Sequence, residues 1–106
     1  MKKSQSSVYR HILNFYAVDA TGTTFVFMMS FISTNNLKVD SLQNLSLLLK
    51  PTANSKYPIG PAVNIDSVGV IDYSYIAYSN GVWKVSSYSE PADADISSVS
   101  DSVTPL

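Results

Sequence analysis

Thr23-Thr24-Phe25-Val26-Phe27-Met28-Met29-Ser30-Phe31-Ile32 is the most apolar stretch of the chain and the richest in strand-favouring residues. In an extended backbone Phe25, Phe27, Met29 and Phe31 share one face, and Val26, Met28 and Ile32 share the other. A strand with one wet face alternates apolar and polar residues, whereas a nearly continuous apolar run asks for cover on both faces. The sequence therefore predicts a strand packed on two sides.

Immediately upstream, Val8 to Val18 reads as its hairpin partner. Tyr9, His11, Leu13, Phe15 and Ala17 form the more apolar face, which is expected to meet the core; Arg10, Ile12, Asn14, Tyr16 and Val18 form the other. Asp19-Ala20-Thr21-Gly22 supplies the turn, with Asp favouring its start and Gly accepting positive φ. Met1 to Ser7 is polar and basic, and is expected to be an N-terminal arm.

Downstream, Ser33 to Asn36 is a polar break. Asp40 or Ser41 fits a helix N-cap, Leu42, Leu45 and Leu49 form a helical stripe, and Pro51 ends the segment. A short helix over 42–50 is expected, with a strand over 45–49 as the competing assignment. Thr52 to Asp66 carries Pro58, Gly60 and Pro61, which exclude regular structure across its middle, yet Tyr57, Ile59, Val63 and Ile65 suggest that it packs onto this domain or a partner. Val68 to Tyr78 and Val82 to Tyr88 read as a second hairpin around Asn80-Gly81. Residues 89–106 are small, polar and acidic, the composition of a tail, although Ile96, Val99 and Val103 recur at intervals of three and four. The expected fold is α+β: one domain over residues 8–88, a small antiparallel sheet of two hairpins with one short helix between them, an arm at 1–7 and a tail at 89–106.

Composition narrows the chemistry. The 106 residues suffice for one domain with a real core. With no cysteine there are no disulfides and no thiolate metal sites. His11 is the only histidine, and on an apolar strand face it reads as a hydrogen-bonded core residue and not as a catalyst or metal ligand. The four glycines are dispersed, so there is no phosphate-binding loop, and seven Lys and Arg against eight acids give no basic surface for nucleic acid. No signal peptide is read at the N-terminus, and the apolar run is too short for a transmembrane helix, so a soluble protein without membrane, cofactor or small-molecule substrate is expected.

Only 14% of the residues are charged, against roughly a quarter in an average domain, and hydroxyl and amide side chains fill the difference. Such a surface repels its own copies weakly. The leading expectation is a non-enzymatic structural or interaction protein that assembles with copies of itself or a larger partner through its sheet and terminal arms, a profile shared by small components of virus and phage particles. The alternative is a monomeric binding module or inhibitor that presents Tyr73, Tyr75, Tyr78, Trp83 and Tyr88 to a protein, peptide or carbohydrate. The candidate interaction residues are those five with Tyr57 and Ile59 of the Pro-Gly segment and Ile96, Val99 and Val103 of the tail.

Overall fold

A computed structural model describes residues 7–89 and 93–106; the expected N-terminal arm lies, apart from Ser7, outside the described residues. The fold is a mostly antiparallel sheet with one short helix. In chain order the elements are β1 (Tyr9–Val18), β2 (Thr24–Ser33), α1 (Leu42–Leu49), β3 (Lys56–Pro58), β4 (Ala62–Asn64), β5 (Val70–Ile71), β6 (Tyr75–Ser79), β7 (Val82–Ser86) and β8 (Ala94–Pro105). The sheet order is β3-β6-β7-β8-β1-β2-β4-β5.

β1 and β2 form a ten-residue hairpin from Tyr9↔Ser33 to Val18↔Thr24. Asp19 builds its turn: Oδ1 accepts from the Thr21 and Thr23 amides at 3.0 and 2.9 Å and from the Thr21 hydroxyl at 2.6 Å, and Gly22 takes φ +84°. β6 and β7 form a shorter hairpin whose Asn80 (φ +50°) and Gly81 (φ +80°) carry the two positive φ angles of a type I′ turn. The helix rather than the competing strand forms over 42–49. Ser41 Oγ accepts from the Asn44 amide at 3.1 Å, and Lys50 closes the other end in the left-handed conformation, with its N–H on Ser46 O at 2.9 Å.

The largest departure from the sequence reading is at the C-terminus. Residues 94–105 are not a tail but β8, the longest strand, inserted between β7 and β1 near the middle of the sheet. Two features disguised it. Its outward side chains are Ser98, Ser100, Ser102 and Thr104, which carry no hydrophobic signal. Its inward side chains break the period of two, because Tyr16 pairs with Ser98 while Ala17 pairs with Ile96, leaving Ser97 as an extra residue in a bulge. That bulge puts both Ile96 and Val99 on the core side, three residues apart, and imitates a helical spacing.

Two further elements differ. The expected strand over 68–78 is divided into β5, which pairs with β4, and β6, which pairs with β3 and β7. The Pro-Gly segment is not without regular structure; it supplies β3 and β4. Pro58 is tolerated because Ser55 O and Ile59 N–H bond to β6 (Tyr78 N–H and Ser74 O), so position 58 turns its missing donor toward the free edge.

β3 closes one end of the sheet and β4 lies next to the other, yet only Ile59-Gly60-Pro61 separates them. Three residues span at most roughly 14 Å from flank to flank, so the sheet is curled and its ends approach. Ile59 N–H bonds to Ser74 O on one side of this bridge, and Gly60 N–H bonds to Met28 O at 2.8 Å on the other. The concave face holds the core: Leu13, Phe15, Phe25, Phe27, Ile76, Trp83 and Val85 meet Leu45, Leu48 and Leu49 of α1. Phe15 and Phe27, directly opposite in the hairpin, stack at 4.8 Å.

Candidate interaction surface

Residues directly opposite in an antiparallel ladder point to the same face. On the convex side Tyr16 pairs with Val26, Val26 with Val63, and Val63 with Val70. One apolar row thus crosses β1, β2, β4 and β5. Beside it Asn14 pairs with Met28. Tyr16, Met28, Val63 and Val70 are 48%, 51%, 44% and 71% exposed. The expectation that β2 is covered on both faces is therefore incorrect for the single chain: Phe25, Phe27 and Met29 are buried, while Met28 and Ile32 stand in solvent. The helix covers only the concave side.

Tyr16, Val26 and Val63 of this row line a groove of about 640 Å³, walled by Pro61 and Val63 on one flank and by Ser98 and Ser100 on the other. The Gly60 amide bond to Met28 O holds the first wall against β2, and a Cβ at position 60 would meet that carbonyl at 3.4 Å. Among the described residues no charged side chain lines the groove.

The aromatic residues expected to form a binding face are mostly structural. Trp83 is 3% exposed and donates from Nε1 to Ser46 Oγ at 2.9 Å, tying β7 to α1. Tyr78 and Tyr57 tilt against it at 5.0 and 5.9 Å. Tyr73 stacks on Phe25 at 4.6 Å; burial above all, then the charges of Asp19 and Asp93, push its phenol above the usual value. Tyr75 is buried against Tyr88, which is 69% exposed, and Lys56 Nζ lies 4.8 and 5.7 Å from their ring centres. Ile59 is half-buried against the core, Ile96 and Val99 are buried in it, and Val103 is half-buried. Tyr88 alone among the expected residues is broadly exposed. The exposed row was legible as the second faces of β1 and β2, where Tyr16 and Met28 already stood; Val63 and Val70 needed the topology.

His11 is completely buried. Its Nδ1 lies 2.7 Å from Asp101 Oδ2 and its Nε2 lies 2.6 Å from Asn35 O. Asp101 Oδ2 also accepts from the Val39 amide at 3.0 Å, while Oδ1 is buried with no hydrogen-bond partner among the described residues. The group resembles two-thirds of a Ser-His-Asp relay, but a main-chain carbonyl occupies the place of the nucleophile, so it fastens residues 35–39 over the sheet and has no hydroxyl to activate. A second polar cluster joins Asp72 Oδ2 to the hydroxyls of Ser87 and Ser89. Among the described residues no group of three His, Asp or Glu side chains is arranged to hold a metal ion, and no helix is long and apolar enough to cross a membrane.

No protein-family model, curated protein or solved structure matches the chain.

Proposed function

We propose that this chain is a non-enzymatic interaction or structural protein that docks on a protein partner through the convex face of β1, β2 and β4. The observation that carries the reading is the uncharged row Tyr16-Val26-Val63, set in its groove and left in solvent by a fold that buries the opposite face of the same strands. Monomers seldom leave a contiguous apolar patch of more than a few hundred Å² without a use for it. β1 and β2, ten residues each, and the three-residue β4, about 4.8 Å apart at about 3.3 Å per residue, present roughly 360 Å² in outline, within the size at which an exposed apolar patch marks an interaction surface. The low charge of the whole chain fits contacts built on shape and hydroxyl hydrogen bonds. The C-terminal segment contributes to this surface as a strand and not as an arm.

A photo-crosslinking residue at position 16, in the cells that make the protein, tests the reading. A discrete crosslinked protein is expected at Tyr16 and none at the remote position Thr52. Crosslinking at Tyr88 and not at Tyr16 would instead favour the monomeric binding module, with the Tyr75, Tyr88 and Lys56 group as its site. An absence of products at both tyrosines would overturn both readings.

A further inference from the structure

We infer that β8 is a pairing edge, and that its occupant is β8 of a second copy of this chain, joined antiparallel so that the sheet continues from one molecule into the next. This rests on the assembly reading above but uses the main-chain edge of β8 and not the apolar side chains of the convex face, so either can fail alone.

The edge follows from hydrogen-bond parity. Leu106 N–H bonds to Val8 O, and β8 runs in register with β1 from Pro105 back to Ser98, so the even-numbered residues of β8 bond to β1. Val99, Asp101 and Val103 turn their N–H and C=O groups the other way. β7 pairs with β8 only at Lys84↔Asp95 and Val85↔Ala94, and among the described residues no backbone–backbone bond beyond these ladders reaches the three. Asp101 shows the consequence: its side chain is fully buried while the residue is 8% exposed, so all of its exposure is main chain.

Natural edges are blunted by charges, proline, bulges or cover. Here the Ser97 bulge and Pro105 bound the edge, and the outward side chains between them are hydroxyls without charge. That composition suits a copy of itself, because none of the outward side chains between the bulge and Pro105 repels its duplicate. Pairing centred on Asp101 would set two carboxylates directly opposite, which is unfavourable. Centring on Ser102 sets Asp101 against Val103 of the partner copy in mutually hydrogen-bonded pairs. Ser102 then faces Ser102 of the partner copy, and Ser100 faces its Thr104, pairs whose hydroxyls can bond across strands. The resulting interface is isologous and closes as a two-fold dimer.

Three variants of the full chain test this, and the absence of native cysteine makes the first one clean. Ser102 would occupy a non-hydrogen-bonded pair with Cα atoms about 4.5 Å apart, within the reach of a disulfide. Ser102→Cys is expected to oxidise in air to a linked dimer, and Ser100→Cys, facing Thr104, is not. By sedimentation velocity over a hundredfold concentration range the unmodified chain is expected to dimerise reversibly. Ser102→Lys is expected to weaken the dimer by about tenfold or more by setting like charges opposite. Val103→Pro removes an N–H only from the free edge, so it is expected to abolish pairing while circular dichroism shows an intact fold. A monomer at every concentration, equal crosslinking at 100 and 102, or a dimer indifferent to both Ser102→Lys and Val103→Pro would overturn the inference. Dissociation by Met28→Lys but not by Ser102→Lys would overturn it too, while supporting the convex face as the docking surface.

Discussion

His11 and Asp101, ninety positions apart, meet at 2.7 Å with both side chains inaccessible to water. Nε2 faces the Asn35 carbonyl oxygen and Nδ1 the Asp101 carboxylate, so both ring nitrogens point at acceptors. The pair joins β1 to β8, and through Asn35 O and Val39 N–H it fastens the segment between β2 and α1. Removing one member leaves the other buried and uncompensated, which costs about 3–5 kcal/mol. His11→Leu and Asp101→Leu are each expected to lose stability in that range by urea unfolding. The double variant is expected to lose less than the sum, because an apolar pair leaves neither partner buried without the other. Strict additivity would show that the two do not act as a unit.

Met28 and Met29 are chain neighbours with opposite expectations. Met29 is 8% exposed on the concave face, and Met29→Ala is expected to cost about 2–5 kcal/mol. Met28 is half exposed, and Met28→Ser is expected to stay within about 0.5 kcal/mol. A large loss at Met28 in the isolated chain would mean that the convex face is packed within the molecule and is not available to a partner.

Trp83 supplies both packing and a hydrogen bond. Trp83→Phe keeps most of the ring against Tyr57 and Tyr78 but leaves Ser46 Oγ without its donor, an expected loss of about 1 kcal/mol. Trp83→Ala is expected to cost about 3–5 kcal/mol. Urea midpoints for the two separate the contributions.

Asp19 gives the first hairpin a pH dependence. The Thr21 hydroxyl above all holds its carboxyl below the ordinary value of 3.8; burial, next in size, opposes it, and the amides of Thr23 and then Thr21 add to the lowering. A group depressed on folding contributes stability that is complete above its unfolded value and is lost as pH falls through the folded one. The β1–β2 turn is therefore expected to loosen below about pH 3.8. Asp19→Asn should remove that part of the acid dependence. Amide exchange at Thr21 and Thr23 in the two forms measures it.

Local chemistry made much of the chain legible. Alternation in β1 identified the buried face His11, Leu13, Phe15 and Ala17, and Gly22 and Asn80-Gly81 marked turns because their φ angles are positive. Ser41 and Pro51 bounded the helix because a cap and a missing donor act within one turn. Those signals depend on neighbours in sequence, so the sequence by itself determined the first hairpin, the Asn80-Gly81 turn, the bounds of the 42–50 segment, the lone core histidine and the absence of thiol chemistry. Tertiary structure alone decided the place of β8, whose bulge at Ser97 breaks its periodicity and whose serines carry no hydrophobic signal. It also decided which side of β2 is covered. An apolar residue such as Met28 carries the same tendency toward burial as Met29, and only the position of the single helix on the concave side, together with the curl imposed by the Ile59-Gly60-Pro61 bridge, leaves one in the core and the other in water.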